Sequence, residues 1–161
     1  MRSSRASATR CRLPIPLPEP LSLSFAPNAH TRPSPSAIQV PQLLGAAVEA
    51  YVRTVRGGVP FASCLDAGGG TGLAGPFLRP LVSGTLSCVD LSPKMLEKAE
   101  AMRTEGGGPM FDIVLAKDLL LLERPDVLAP AERRTGVELV AAADVLVYFG
   151  ELHELMQSFD R

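Results

Sequence analysis

Apolar positions along the chain fall into two spacings, and their alternation lays out the elements. From Ala37 to Val55 they recur at Ile38, Val40, Leu43, Leu44, Ala47, Val48 and Tyr51, mostly three or four apart. That spacing predicts an amphipathic helix, with Pro41 tolerated near its start. Gly57 and Gly58 end it, and Pro60 leads into a short apolar run, Phe61 to Leu65, read as a buried strand. Leu73 to Val82 is helical in pattern, with Pro76 in its first turn, and Gly84 opens a second strand ending at Asp90. Ser92 as cap, Pro93 at the first helical position, and Met95, Leu96 and Ala99 along one face predict a further helix. Gly106 to Pro109 breaks it. A third strand follows in FDIVLAKDLL, ending near Asp118, and a fourth in VELVAAADVL after Gly136. Between these last two, Pro125, Pro130, Glu132, Arg133 and Arg134 make a solvated connection.

The segment before the first helix has a different character. Residues 1–36 are rich in Ser, Arg and Pro, with Glu19 their only acid, and include LPIPLPEP. Proline removes an amide donor and fixes φ, so the segment is expected to be disordered or polyproline-like. It reads either as an organelle transit peptide or as a leader of no function. The folded domain is expected over 37–161.

Composition narrows the partners. The chain has 161 residues, 46% of them hydrophobic and 20% charged, with a formal net charge of −1. Nothing in that balance calls for nucleic acid or an anionic membrane surface. No apolar run approaches the roughly 20 residues of a membrane helix. Cys11, Cys64 and Cys88 lack C-x-x-C spacing, and the latter two fall in strands. They read as small core residues of an intracellular protein, cytoplasmic or organellar. His30 and His153 are isolated from each other and from any cysteine, a pattern that supports no metal site.

The chemistry concentrates in FASCLDAGGGTGLAGPFL, Phe61 to Leu78. An apolar strand delivers Asp66, and then Gly68, Gly69, Gly70 and Gly72 follow, interrupted only by Thr71. Glycine serves where the backbone takes positive φ or a ligand comes within contact distance. A helix starting after such a turn directs unpaired amides toward a bound group. The stretch is therefore read as a nucleotide-type site. Gly70-x-Gly72-x-x-Gly75 satisfies a dinucleotide fingerprint, and Asp90 lies 18 positions past Gly72, near the ~20-residue spacing of a ribose-binding acid.

The overlapping pattern Asp66-x-Gly68-x-Gly70-x-Gly72 resembles motif I of the class I methyltransferases that use S-adenosylmethionine. The usual spelling there has Cys where this chain has Gly69, a change expected to loosen the turn without removing a ligand group. VDLSPKMLEKA is similar to that family's second motif, and VELVAAADVLVYFGELHEL to its fourth-strand motif, especially in the branch fused behind tetratricopeptide repeats. The usual Phe-Asp before that strand is here Val137-Glu138.

The resemblance implies a three-layer Rossmann-like α/β fold with S-adenosylmethionine as cofactor. Asp66 would lie near the methionine amino group, Gly68, Gly70 and Gly72 would make room for the cofactor, and Asp90 would take the ribose. Leu91 and Met95 would flank the adenine, and Asp118 with the Leu119 amide would read its edge. Ala142 to Val145, with Ala143 among them, would line the methyl-donor end. Asp144, Tyr148 and Phe149 would face an unidentified acceptor. Asp118 reads equally as a helix N-cap, the two aromatics as junction packing, and the IQVPQLL helix as a cofactor cover or a plain core helix.

The family's strand order is 3-2-1-4-5-7-6, and only strands one to four have candidate sequence here. The fourth would then be an exposed apolar edge, which predicts self-association. Two other functions stand beside methyl transfer. One is a truncated, non-catalytic cofactor-binding or interaction fragment; the other is an NAD(P)-dependent oxidoreductase, which leaves Asp66 and ADVLVYFG unexplained.

Overall fold

The computed structural model describes residues 35–159, with side chains from residue 39 onward. The N-terminal segment, with Cys11 and His30, lies outside the described residues. Helix α1 (Pro35–Thr54) leads to strand β1 (Phe61–Ala67). A short α2 (Gly75–Leu78) and a 3-10 turn (Arg79–Leu81) follow, then β2 (Val82–Asp90), α3 (Pro93–Ala101) and β3 (Ile113–Ala116). The chain continues through a 3-10 turn (Leu119–Leu121), α4 (Arg124–Val127), β4 (Leu139–Ala141), a 3-10 turn (Leu146–Tyr148) and α5 (Leu152–Phe159).

The four strands form one sheet in the order β3-β2-β1-β4, and every pairing is parallel. Side chains alternate across it, as a sheet covered on both faces requires. Cys64, Leu86 and Cys88 meet Leu78, Leu96, Ala99 and Phe111 on one face. Leu65, Ala67 and Val89 meet Leu119, Val127, Leu128 and Leu155 on the other. Three layers result. The chain order reverses between β1 and β4, and the crevice at such a reversal, beyond the carboxyl ends of the strands, is where open parallel sheets hold ligands.

Helix α1 ends where the sequence predicts. Gly57 and Gly58 take φ of +63° and +84°, and the Gly58 N–H returns to the Val52 carbonyl at 2.9 Å. Arg56 then ties three elements together. Its guanidinium lies 4.2 Å from the Phe61 ring centre and 3.0 Å from Glu138 Oε2, which also accepts the Ala62 N–H.

Four elements differ from expectation. The helix predicted over Leu73 to Val82 is one α-turn from Gly75 followed by a 3-10 turn, because Pro80 supplies no amide to continue it. The second strand starts at Val82, not Gly84. Phe61 pairs with Val82 but Ser63 pairs with Thr85, so one extra residue bulges from β2. Gly84 permits this, since a Cβ there would run into the Ala62 carbonyl and the Glu132 carboxylate. The third and fourth strands are short, four and three residues. At the start of β3 the Asp112 N–H still donates to the Leu86 carbonyl at 2.9 Å, but its side chain takes the place of a backbone acceptor for the Leu86 N–H and pairs with Arg79, while the Glu138 side chain pairs with Arg56.

Candidate functional site

All three glycines expected to need positive φ have it: Gly68 at +67°, Gly70 at +55° and Gly72 at +81°. Their surroundings divide them. A Cβ on Gly68 would collide with Val145, so this glycine lets the segment after β4 pack on the turn. A Cβ on Gly72 would meet Phe111 at 2.8 Å and Ala99 at 3.0 Å, so this one lets the turn settle onto α3 and the core. Gly70 alone of the three has room, with Met95 Cε at 3.8 Å and Asp90 Oδ2 at 3.9 Å from a built Cβ.

The turn is anchored by Asp90. Its Oδ2 accepts the Gly70 N–H at 3.0 Å and its Oδ1 accepts the Ser92 N–H at 2.8 Å. Each carboxylate oxygen keeps acceptor capacity beyond one hydrogen bond. The ends of β1 and β2 are thereby joined, with Gly68 and Gly69 also donating to the Val89 carbonyl at 2.8 and 3.1 Å.

Asp66 lies beneath the turn. It is 1% exposed, and neither carboxyl oxygen has a hydrogen-bond partner among the described residues. Burial, and then the charge of Asp90, raise its pKa to about 7. An ionised carboxylate with no donor in such a place costs several kcal/mol, roughly, so the acid form is favoured up to about neutrality.

Gly69 has a packing reason that the sequence did not suggest. A Cβ there would stand 2.6 Å from Cys88 Sγ and 2.7 Å from Asp66 Oδ2. Cys88 fills the space a side chain at position 69 would need, and glycine is what permits it. Cys64 and Cys88 are both buried and free, as predicted. Burial, then Asp66, pushes the Cys64 thiol up to about 12, and Cys88 rises for the same reasons, so neither is a nucleophile.

The remaining predicted residues follow the carboxyl ends of β2, β3 and β4. Leu91, just past the end of β2, is 73% exposed, and Met95, in the first turn of α3, is 46% exposed. The Lys117 N–H donates to the Asp90 carbonyl at 3.1 Å and brings the end of β3 alongside. There Asp118 Oδ1 accepts the Leu120 N–H at 2.9 Å, so it does serve as an N-cap, with its other oxygen outside that bond. The Leu119 side chain is buried in the core, which leaves its N–H, at the first position of a 3-10 turn, as the group it can offer. Ala143 is half-buried in the segment that Val145 pins to Gly68, and Tyr148 is 81% exposed just beyond it. The predicted helix-dipole contribution is small, because α2 has four residues and starts at Gly75.

Cys88 and Ser92 belong to this site and were not among the predicted residues. Cys88 is legible in retrospect, two positions before Asp90 on the same strand. Among the described residues no cluster of three His, Cys, Asp or Glu side chains could hold a metal ion. None of the described helices is long and apolar enough to cross a membrane.

No protein-family model matches the sequence, and no curated protein matches it. Solved structures do. The chain resembles magnesium protoporphyrin IX methyltransferase (ChlM) from Synechocystis PCC 6803 with bound S-adenosylhomocysteine, at 20% identity and a TM-score of 0.57, over 83% of this chain and 57% of that one. It resembles the plantazolicin methyltransferase BpumL in complex with S-adenosylhomocysteine at 15% identity and a TM-score of 0.56, over 77% and 42%. A third likeness is to an S-adenosylmethionine-dependent methyltransferase from Clostridium acetobutylicum, at 22% and 0.51, over 72% and 42%. The chain thus spans 42 to 57% of the length of these three proteins. With its strand order, its parallel pairing and its glycine turn at the reversal point, the chain has the Rossmann-like fold of the class I S-adenosylmethionine-dependent methyltransferases over four strands of its sheet.

Proposed function

We propose that this chain binds S-adenosylmethionine over the turn Gly68 to Gly72 and takes part in transfer of its methyl group to an acceptor. The observation that carries the reading is the buried, partnerless Asp66 beneath a glycine turn whose one open face, at Gly70, is held to Asp90. A cationic amino-acid moiety supplies what Asp66 lacks. The adenosine half fits the same frame: free acceptor capacity on Asp90 for ribose hydroxyls, Gly70 for close approach, Leu91 and Met95 as apolar flanks, and Asp118 with the Leu119 N–H for a base edge.

Bound there, S-adenosylmethionine supplies an electrophilic methyl on a sulfonium. The chain's own part is orientation. In-line displacement at carbon is accelerated chiefly by holding donor and acceptor in line, and rigid anchoring of the turn serves that end. No side chain is assigned as a base. Ala143 and its neighbours stand where the donor end would lie, and Asp144 and Tyr148 where they would shape access for an acceptor.

The dinucleotide reading keeps one observation in its favour. Gly75 packs tightly, since a Cβ would stand 2.6 Å from Phe111, as the third glycine of that fingerprint does. It gives Asp66 no role. Calorimetric titration with S-adenosylhomocysteine and with NADH separates the two. Binding of the first alone is expected, weakened in Asp90→Ala by about 1.5–3 kcal/mol per charge-assisted bond lost. Binding of NADH alone, or of neither ligand, overturns the proposal.

A further inference from the structure

We propose that Asp66 is a neutral carboxylic acid before ligand binds and gives up its proton when a ligand ammonium docks over the glycine turn, so that cofactor binding by this chain is coupled to proton release. This rests on the cofactor reading given above and adds to it a linkage between binding and pH.

Geometry carries the argument. Asp66 is 1% exposed with two unpartnered oxygens, and one of them, Oδ2, would lie 2.7 Å from a Cβ built on Gly69, so the carboxyl packs directly against the glycine turn. The titratable groups facing it are Cys88 and Asp90 on β2 and Cys64 on its own strand; β4 presents Ala141 as its register partner. The charge that acts on it is that of Asp90. Burial and a like charge therefore both favour the acid, and a pKa of about 7 follows. A cation arriving above the turn is the missing counter-charge, and in so dry a place it acts strongly across a few ångströms. The step is a simple ionisation. The Asp66 O–H bond breaks, the electron pair stays on the carboxylate, and the proton leaves to buffer.

The test is calorimetry of the 161-residue chain with S-adenosylhomocysteine, which carries the ammonium, in buffers of different ionisation enthalpy. Close to one proton should be released per ligand near pH 6. Affinity should rise roughly tenfold between pH 5.5 and 7, a window below the titration of a free amine near ~8. The ligand 5′-methylthioadenosine, which has no amino-acid moiety, should bind with neither effect. Asp66→Asn should bind S-adenosylhomocysteine without proton release; should that variant not fold, the two ligands on the unaltered chain decide the matter. Binding of S-adenosylhomocysteine with no proton released and flat affinity overturns the inference and leaves the cofactor reading standing. Equal proton release with both ligands overturns the assignment to the ammonium. No binding of either ligand at any pH overturns the cofactor reading itself.

Discussion

Asp66 and Asp90 show how two acids on neighbouring strands come to differ. Asp90 sits where two backbone N–H groups converge, while Asp66, one strand over, meets none. The consequence for stability has a definite sign. An ordinary aspartate titrates near 3.8, but burial first and Asp90 second raise folded Asp66 to about 7, so between those values the folded chain holds a proton that the unfolded chain has released. The stability this lends is complete below pH about 4 and lost as pH rises through about 7, on the order of 4 kcal/mol in all. Thermal melts of the unliganded chain should therefore fall from pH 5 to pH 8 relative to those of Asp66→Asn, which has no such titration. Parallel pH profiles for the two proteins would show that Asp66 is ionised throughout.

At the scale of elements, the glycine turn separates binding from folding. A Cβ on Gly70 would meet only Met95 and Asp90 at ordinary contact distance, 3.8 to 4.0 Å, whereas one on Gly72 would run into Phe111, Ala99 and Met102. Gly70→Val is expected to keep the circular dichroism spectrum at a cost of roughly 1–3 kcal/mol for its positive φ, and to lose S-adenosylhomocysteine binding. Gly72→Val adds overpacking in the core and should lose more stability. A Gly70→Val protein that binds like the original would mean the turn only connects β1 to α2.

The turn and the strand-end acids were legible in the sequence because glycine spacing and a run of apolar residues are local signals. What was not legible is tertiary. The Leu73 helix shrank because Pro80 follows it by less than two turns, and β2 began early because a bulge at Gly84 depends on Ala62 across the sheet. Glu138 reads as strand until Arg56, far away in sequence, claims it. Gly69 reads as slack until Cys88 is seen beneath it.

For the whole molecule, the sheet is asymmetric. Strand β4 pairs with β1 on one side and with no other strand among the described residues. A cavity of about 160 Å³, lined in part by Leu65, Val137, Val140 and Phe159, opens beside it. A strand edge that no other strand among the described residues covers favours edge-to-edge pairing. Sedimentation should show self-association of this chain rising through the micromolar range; a compact monomer at high micromolar concentration would contradict that expectation. The central claim is one of location, that S-adenosylmethionine binds at the carboxyl ends of the strands over the glycine turn. Mapping of backbone amide chemical shifts on titration with S-adenosylhomocysteine tests it most directly. The largest changes are expected at Gly68, Gly70, Gly72, Leu91 and Leu119, with Ser83 and Gly136 at the opposite end of the sheet unmoved. Changes centred on Ser83 and Gly136, or none at a saturating concentration of ligand, would contradict it.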